Sequence, residues 1–387
     1  IFKQILMVAG MEKYFQIARC FRDEDLRADR QPEFTQLDME MSFVDEEEVF
    51  SLVEDLMAAL FEKGLGQTIP TPFPRITYEE AMLKYGSDKP DLRFGLEIVE
   101  LTDLVQDVEF KVFSSAVKAG GVVRAINAKG CASFTRREID ELTKIAVDHG
   151  AKGMAWIIVT EDELRSPITK FFTTEQIERV LQTLDAQPGD LLLFSADSAT
   201  TVARVMGAIR LELGKRLGLI DDTQLSFAWV TEFPLLEYDE EEKRYVAVHH
   251  MFTSPRVEDI GLLDNNPLQA KSRAYDLILN GTEIGGGSIR IHRRDWQEKM
   301  FKLVGLTSEE AYDKFGYMLD AFEYGTPPHG GIAFGVDRLV MIMAGRSSIR
   351  DVIAFPKTQS ASCLLTQAPS PVSSKQLREL SLKIREK

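Results

Sequence analysis

The sequence is poor in cysteine and in long apolar runs, and each shortage excludes a class of protein. Its three cysteines, Cys20, Cys131 and Cys363, stand far apart and form no CxxC pair. This argues against a disulfide framework or a cysteine zinc site, and it fits a reducing cytoplasm. No stretch approaches the roughly 18 uninterrupted apolar residues of a membrane-spanning helix, so we expect no membrane span.

Positive charge is also in short supply. Lysine and arginine number 46 against 61 aspartates and glutamates, which gives a net charge of −15. This balance excludes a simple basic nucleic-acid binder, but local arginine clusters could still meet a polyanion. The sequence also lacks the GxxxxGK[ST] phosphate loop, the HExxH zinc motif and any fixed-period repeat.

The chain has 387 residues, 44% of them hydrophobic, enough for two or three domains. Between about 94 and 220, short apolar runs alternate with helical patterns, which predicts a separate α+β domain at 94–220. The flanking blocks, 1–93 and 221–387, would then form the other domain. The sequence begins with Ile1 and not with methionine, so we expect it to start inside a longer protein, and its first residues are too few and too polar for a signal peptide.

Helix starts are marked by capping boxes, in which a threonine or serine precedes a glutamate or glutamine by three residues. The pairs are Thr135/Glu138, Thr173/Gln176 and Ser373/Gln376. Apolar residues at helical spacing predict a further helix over 46–65. The helix after Ser373 would carry Leu377, Leu380 and Ile384 on one face.

Residues 14–43 predict two strands around a charged loop of about ten residues. Because strand side chains alternate between faces, the second strand has an apolar face and a polar face. The apolar face would hold Thr35, Leu37, Met39, Met41 and Phe43, and the polar face Gln36, Asp38 and Glu40. Arg22 ends the first strand, and its planar guanidinium suits a phosphate or a carboxylate. From composition alone, the alternative is an ordinary solvated hairpin.

Asp276, Glu283 and Arg290 form a second group, spaced seven residues apart. Carboxylates that act together with substrate phosphates commonly hold Mg²⁺. An odd spacing puts Glu283 and Arg290 on opposite faces of a regular strand. If both face one pocket, the three glycines at 285–287 must host a bulge. The alternative is that these glycines form the tip of a hairpin.

A third group lies at 325–342, where a glycine-rich turn leads to a strand and then to an apolar helix. Arg338, at the strand–helix junction, could stack on a base or meet a phosphate. His249 and His250 are a weaker signal. On a strand their rings would face opposite ways, so at most one should reach a given pocket.

Together these segments resemble the class II aminoacyl-tRNA synthetases. Residues 20–36 resemble motif 2, and Gly335-Val336-Asp337-Arg338 resembles motif 3. Several runs are similar in detail to the bacterial-type aspartyl-tRNA synthetases, and the likeness spans essentially the whole chain. These runs are 20–36, 86–93, 249–250, 285–288 and 351–357. The insertion between motifs 2 and 3 is also typical of the bacterial type.

The resemblance implies an α+β fold with a class II antiparallel sheet of six strands flanked by helices. An inserted α+β (GAD-like) domain at 94–220 would divide the catalytic domain into 1–93 and 221–387. It also implies that the N-terminal anticodon-binding domain and motif 1 of the family lie outside this sequence.

The reaction implied is that of an aspartate–tRNA ligase. The aspartate α-carboxylate attacks the α-phosphorus of ATP, giving aspartyl-adenylate and pyrophosphate, and the 3′ end of tRNA(Asp) then takes the aspartyl group. The partners implied are ATP, L-aspartate, tRNA(Asp) and a second copy in a homodimer, in the cytoplasm and away from membranes. Charging of tRNA(Asn) stays open. The alternatives are a relative that charges asparagine or lysine, and a catalytically inactive paralogue.

The site roles follow from the same resemblance. The catalytic residues would be Arg22 and Arg338. The ATP-binding residues would be Arg22, Asp23, Glu24, Gln31, Glu283, Gly335, Val336, Asp337 and Arg338. The aspartate-binding residues would be Lys3, Arg22, Asp38, His249 and Arg290. The Mg²⁺ that accompanies ATP would be held by Asp276 and Glu283.

Selection of aspartate would rest on Arg290 and Lys3, which would bind its side-chain carboxylate. Asparagine, nearly isosteric but neutral, would leave these cations unpaired in a dry pocket, at a cost of about 1–3 kcal/mol or more per group. Because the attacking carboxylate is already ionised, the reaction would need no general base. Positioning and electrostatics would then supply the catalysis.

Overall fold

The computed structural model of the chain describes residues 1–23 and 30–385. Strands occur throughout these ranges. They are Lys13–Phe21 (β1), Glu33–Ser42 (β2), Arg75–Thr77 (β3), Val99–Glu100 (β4), Val122–Ala128 (β5), Ala155–Val159 (β6), Leu164–Arg165 (β7), Leu191–Asp197 (β8), Phe227–Thr231 (β9), Leu236–Asp239 (β10), Arg244–Ala247 (β11), Ala274–Leu279 (β12), Thr282–Ile289 (β13) and His329–Gly335 (β14).

Helices connect and cover these strands. They are Phe2–Val8 (α1), Glu46–Leu65 (α2), Tyr78–Lys84 (α3), Thr102–Val105 (α4), Lys111–Lys118 (α5), Arg136–Asp148 (α6), Thr174–Thr183 (α7), Ala199–Arg216 (α8), Leu262–Asn265 (α9), Arg294–Leu303 (α10), Ser308–Phe322 (α11), Val336–Met343 (α12) and Ser374–Glu379 (α13). Short 3₁₀ turns occur at Thr169–Phe171, Val257–Asp259, Pro267–Gln269 and Ile349–Val352.

The larger sheet has the strand order β1-β2-β14-β13-β12-β9-β3. The first six of these strands pair antiparallel, as the six-stranded prediction requires. The prediction was wrong in stopping there, because β3 adds a seventh strand that pairs parallel with β9. With three residues, β3 is too short to carry a readable alternation.

Helix α2 covers the apolar face of this sheet and spans the predicted 46–65. Its N-terminus is fixed by Asp45, which accepts a hydrogen bond from the backbone amide of Glu47, and its last turn closes on the left-handed Gly66. The side chains that α2 buries meet the alternate residues of β2, β9, β12 and β14. Those from α2 are Val49, Phe50, Val53, Met57 and Phe61. Every second residue of the strands is therefore left for the opposite face.

The second sheet has the order β4-β5-β8-β6-β7, and all its strands lie inside the predicted 94–220 block. Helices α6 and α8 pack on one face of it, and α4, α5 and α7 pack on the other. The capping boxes predicted at Thr135 and Thr173 are confirmed at the starts of α6 and α7. The division at 94 and 220 stays a prediction, and the membership of this sheet agrees with it.

Two predictions about packing were wrong. Phe43 does not join the apolar face of β2, because it lies past the strand end with φ 60° and is 72% exposed. The capping box at Ser373 does start α13, but that helix ends at Glu379, just ahead of Ser381 with its positive φ. Leu380 and Ile384 are consequently exposed and do not form a packed helical face with Leu377.

Within the described ranges, none of the helices is both long enough and apolar enough to cross a membrane. Cys20, Cys131 and Cys363 are all free thiols.

Candidate active site

A cavity of about 720 Å³ opens on the polar face of the larger sheet. The structure brings together in its lining the five residues on which the sequence argument depended. These are Arg22, Asp276, Glu283, Arg290 and Arg338. They come from the end of β1, from β12, from β13 and the residue after it, and from α12, so only the folded sheet makes them neighbours.

Most of the other predicted site residues line the same cavity. They are Lys3, Gln31, Asp38, His249, Gly335 and Asp337. Two predicted residues are not in the lining: Asp23 is exposed just past β1, and Val336 is the first residue of α12. Glu24 lies outside the described residues.

A bulge in β13 reconciles the spacing of Glu283 and Arg290. Leu277 pairs with Gly285, but the next residue, Ile278, pairs with Glu283, so one extra residue of β13 is accommodated. That residue is Ile284, which is buried in the core of the sheet. A bulge is therefore present, but the prediction that the three glycines host it was wrong, because it lies at Ile284, immediately before them.

The glycines at 285–287 do not form a hairpin tip. The tip is Asn280-Gly281, both with positive φ, as expected for an Asn-Gly turn between antiparallel strands. Gly286 lies inside β13 directly opposite Asp276, and a Cβ on Gly286 would fall 2.6 Å from the Asp276 Oδ1. The glycine therefore makes room for the carboxylate of the neighbouring strand.

Gly331 of β14 does the same for Glu40. A Cβ at this position would lie 2.3 Å from the Glu40 Oε2 and 2.1 Å from the Met39 backbone oxygen. Glycines in β13 and β14 thus leave space on the polar face of the sheet for the carboxylates of the neighbouring strands.

Arg290 is held at one end of the cavity by a buried carboxylate. Its Nε donates to Glu40 Oε1 at 2.9 Å and its Nη2 to Glu40 Oε2 at 3.0 Å. Its Nη1 donates to Ser288 Oγ at 2.6 Å and lies 2.9 Å from His250 Nε2. Burial alone would raise the pKa of Glu40, but the Arg290 guanidinium outweighs burial and lowers this pKa to about 2. The pair is consequently charged at neutral pH.

Lys3, from α1, joins the same cluster. Its Nζ lies 2.7 Å from Asp38 Oδ1 and 3.2 Å from Glu40 Oε2. Asp38 and Glu40 are two apart on β2 and so share its polar face. Two cations and two carboxylates therefore balance each other before any ligand arrives.

This balance corrects the argument about asparagine. We expected that a neutral side chain in the pocket would leave Arg290 and Lys3 unpaired. That expectation was wrong, because Glu40 and Asp38 already pair them. A charged and a neutral side chain would differ here only in the direct contacts that they make with this cluster.

Both histidines line the cavity, so the prediction that at most one would reach it was wrong. The reason is that residues 249–250 follow β11 in a bend and not in a strand. His249 Nε2 lies 3.8 Å from Asp276 Oδ1, and His250 contacts Arg290. Burial, reinforced by the nearby Arg290 charge, lowers the pKa of His250 to about 3, which keeps its ring neutral.

The carboxylates of Asp276 and Glu283 lie close together farther along the sheet. The position that a Gly286 Cβ would occupy is 2.6 Å from Asp276 Oδ1 and 3.5 Å from Glu283 Oε1. Burial raises the pKa of Asp276, and the charge of Glu283 raises it further. An added cation would relieve this repulsion, so the pair suits a metal that also takes phosphate oxygens. Among residues 1–23 and 30–385, no cluster of three or more potential metal ligands occurs.

Arg22 and Arg338 also line the cavity. The Arg22 guanidinium lies over the Phe34 ring, 5.2 Å from its centroid. Arg338 donates to the backbone oxygen of Glu283. Phe34 and the Glu283 backbone thus hold two arginines of the cavity lining in place.

Two predicted ATP-binding side chains also brace the backbone around the cavity. Gln31 pairs with Lys357, since its Oε1 accepts from the Lys357 amide at 2.7 Å and its Nε2 donates to the Lys357 oxygen at 3.3 Å. Asp337 Oδ2 accepts from the backbone amide of Thr35 at 2.6 Å. Gln31 thus connects its loop to the segment at Lys357, and Asp337 connects α12 to β2.

Glu40, His250 and Ser288 surround Arg290, and none of them was assigned a role from the sequence. A signal was available for Glu40, because it stands two residues from Asp38 on the polar face of β2. A fully buried carboxylate needs a cation as its partner, and Glu40 finds this cation in Arg290, which is also buried.

Comparison with known proteins agrees with this geometry. The model of the family "tRNA synthetases class II (D, K and N)" matches residues 1–359. An antiparallel sheet flanked by helices, with arginines and carboxylates converging on its polar face, defines the same class. The chain belongs to the class II tRNA synthetases of the D, K and N group.

Several curated relatives are similar along the entire chain. A protein of Syntrophomonas wolfei named aspartate–tRNA(Asp/Asn) ligase is 72% identical over 387 residues, which is 100% of this chain and 66% of the relative. One of Moorella thermoacetica with the same name is 65% identical, covering 99% of this chain and 64% of the relative. An aspartate–tRNA ligase of Geobacillus kaustophilus is 60% identical, covering 99% and 65%. The chain therefore spans just under two thirds of the length of these relatives.

Among solved structures, an aspartyl tRNA synthetase from Entamoeba histolytica matches with a TM-score of 0.45 and 18% sequence identity. The match covers 92% of this chain and 50% of that chain.

Proposed function

We propose that this chain is the catalytic part of an aspartate–tRNA ligase. It would activate L-aspartate with ATP to aspartyl-adenylate and pyrophosphate, and transfer the aspartyl group to the 3′ end of tRNA(Asp). The observation that carries the proposal is the cluster of Lys3, Arg290, Asp38 and Glu40 at one end of a cavity. The names of the curated relatives support the same substrate.

The cluster suits an amino acid with an acidic side chain. Lys3 is the less tightly held of its two cations, because its Nζ makes one contact each with Asp38 and Glu40, at 2.7 and 3.2 Å, whereas Glu40 binds Arg290 through a two-bond fork. When aspartate binds, Lys3 would turn to the side-chain carboxylate. Asp38 would then be released to accept the substrate ammonium, so one ion pair is exchanged for two.

Glu40 would keep Arg290 oriented throughout this exchange. The guanidinium would meet the substrate carboxylate through Nη1, which would exchange its contact with His250 for the substrate, while Nε and Nη2 stay on Glu40. An amide in place of the carboxylate would gain neither the Arg290 nor the Lys3 charge interaction. His249 would close over the bound amino acid, as its position beside Asp276 allows.

ATP would occupy the other part of the cavity. Arg22 would contact the α-phosphate together with the aspartate carboxylate, and its charge would matter most as negative charge spreads in the transition state. Arg338 would meet the distal phosphate. Gln31 and Asp337 would contribute through the segments that they brace, as well as directly.

Asp276 and Glu283 would hold the Mg²⁺ that accompanies ATP, because their oxygens converge on one point beside Gly286. When bound, the metal would neutralise phosphate charge that otherwise repels the incoming carboxylate. The protein groups would bind the two substrates in line and exclude water. No side chain need take a proton, since the attacking carboxylate is already ionised.

A homodimer is proposed as the working form. The edge strand β1 exposes Phe15, Ile17 and Phe21, each 72% accessible. An apolar edge strand of this kind is a site for association, and a second copy is the occupant that the resemblance implies. A ligase that acts on tRNA would work in the cytoplasm.

The test of the proposed function is amino-acid-dependent ATP–pyrophosphate exchange by the full-length protein. We expect exchange with L-aspartate and background levels with asparagine and lysine. Exchange with asparagine or lysine alone would assign a different member of the family, and no exchange with any of them would indicate an inactive paralogue. Aminoacylation of tRNA(Asp) and tRNA(Asn) transcripts then separates single from dual specificity.

Arg290→Leu is the informative variant in this assay. We expect aspartate-dependent exchange to fall at least about a hundred-fold, because a buried charge partner of the substrate is lost. ATP binding, measured by calorimetry, should change little. The matched control is Arg293→Leu, three residues along the chain, where the arginine is exposed and pairs with Asp295. Aspartate-dependent exchange that survives in Arg290→Leu would contradict the assignment.

A further inference from the structure

One face of helix α8 packs on residues 86–95, the segment that precedes the second sheet. Gly207, Arg210 and Gly214 are spaced by three and four residues and so share that face. A Cβ on Gly86 would lie 2.3 Å from the Ala203 oxygen and 2.7 Å from the Gly207 nitrogen. The two backbones are therefore in direct contact, and glycine permits it.

Arg210 fixes the far end of the same segment. Its side chain is 1% exposed, and its Nη2 donates to the backbone oxygens of Asp91, Phe94 and Gly95 at 3.0, 2.8 and 2.8 Å. Its guanidinium also lies 4.0 Å from the centroid of the Phe94 ring. Burial lowers the pKa of Arg210 only to about 10, so the clamp is charged at neutral pH.

Lys89 lies between these two contact points, in the part of segment 86–95 that joins Gly86 to Asp91. Its Nζ lies 3.3 Å from Glu283 Oε2, so it joins the two blocks of the chain, 1–93 and 221–387, that the predicted insertion separates. This part of the segment also rests on the β12–β13 turn, since a Cβ on Gly281 would lie 3.1 Å from the Asp91 Cβ. Helix α8 therefore places a lysine charge against one of the two carboxylates proposed to bind the metal.

We propose that Lys89 is the counter-ion of Glu283, held in place by α8, and that it keeps the Asp276/Glu283 pair from taking a divalent cation until a nucleotide is bound. This inference rests on the proposed function. An ammonium at 3.3 Å competes with a metal for Glu283 and repels it electrostatically. The polyphosphate of ATP supplies the extra negative charge that makes metal binding favourable.

Manganese binding without nucleotide tests this role directly. Mn²⁺ takes the same oxygen ligands as Mg²⁺, and its free fraction is measured by electron paramagnetic resonance on the full chain. We expect Lys89→Met to bind the ion about three- to ten-fold more tightly than the parent protein. Lys89→Arg should restore the parent affinity, and Asp276→Asn should remove the binding that Lys89→Met reveals. Equal or weaker Mn²⁺ binding by Lys89→Met would overturn the proposal.

The part played by α8 is tested by Arg210→Lys, which keeps the charge but loses the fork that grips three backbone oxygens. This variant should tighten Mn²⁺ binding in the same direction as Lys89→Met. It should add nothing in the Lys89→Met background, because it acts through Lys89. A Mn²⁺ affinity unchanged by Arg210→Lys would overturn the role of the helix.

Arg204→Met is the matched control on the same helix. Its Nε donates to the His149 oxygen at 2.8 Å, and both residues lie inside the predicted 94–220 domain. Mn²⁺ binding should therefore stay at the parent level. A shift as large as that of Arg210→Lys would also count against the proposal. Because no amino acid or ATP is present, these results do not depend on whether the protein activates aspartate.

Discussion

Replacing Glu40 by glutamine would remove one charge from the buried cluster while keeping its shape. Glu40 is 0% exposed and holds Arg290 through a two-bond fork. The drop of the Glu40 pKa from its usual 4.5 to about 2 corresponds to about 3 kcal/mol of stabilisation by the ionised carboxylate. Glu40→Gln should therefore lower the free energy of unfolding by about 3 kcal/mol at pH 7, because Arg290 loses its partner.

The effect should depend on pH in one direction. Because folding lowers the Glu40 pKa, its contribution is fully present above about pH 4.5 and is lost as the pH falls from there toward about 2. The stability difference between the parent protein and Glu40→Gln should hold steady from pH 7 to about pH 5. It should narrow below that range, where the parent carboxylate begins to take up a proton in the unfolded state.

Urea unfolding followed by tryptophan fluorescence measures this difference. The chain has three tryptophans, and a Trp156→Phe background removes the one in the second sheet, so that Trp229 and Trp296 report on the larger sheet and its surroundings. The matched control is Glu33→Gln on the same strand, where the carboxylate is 35% exposed and should contribute less than about 1 kcal/mol. A Glu40→Gln protein within about 0.5 kcal/mol of its parent at pH 7 would refute the reasoning.

Two further substitutions, at Gly286 and Tyr275, test the packing of the strands beneath the cavity. Gly286→Ala would place a methyl group 2.6 Å from Asp276 Oδ1. The Mg²⁺ concentration that gives half-maximal pyrophosphate exchange should therefore rise about ten-fold or more. An unchanged Mg²⁺ dependence would contradict the placement of that carboxylate. Tyr275→Phe would remove a buried hydroxyl that donates to the Gly331 oxygen at 3.0 Å, and urea unfolding should show a loss of about 1 kcal/mol. No loss of stability would mean that this bond does not anchor β14 to β12.

Local patterns in the sequence were enough to predict much of the frame. The helix at 46–65 was predicted to its observed ends from its apolar spacing, and the structure adds an Asp45 N-cap and a closing Gly66 that agree with it. The strand pair around Arg22 followed from alternation alone, whereas the bulge was predicted at glycines 285–287 and lies just before them. The bulge was inferred from a conflict between strand parity and a shared pocket, and the structure resolves that conflict at Ile284.

What the sequence could not reveal depends on contacts between distant residues. Glu40 and Arg290 are 250 positions apart, and only the sheet order places β2 near the end of β13. The histidine pair was assigned to a strand because the bend after β11 leaves no local signature. Lys89 and Glu283 likewise belong to separate segments, and only the folded chain brings their charges within 3.3 Å of each other.

The central claim is that one cavity binds an acidic amino acid at the Lys3–Arg290 end and a nucleotide at the Arg22–Arg338 end. A crystal structure of the full-length protein with a non-hydrolysable aspartyl-adenylate analogue tests it most directly. We predict that the side-chain carboxylate lies within about 3.2 Å of both Lys3 Nζ and a nitrogen of Arg290, with the ammonium on Asp38. An analogue bound with its carboxylate away from these cations, and with Lys3 still on Asp38, would contradict the account.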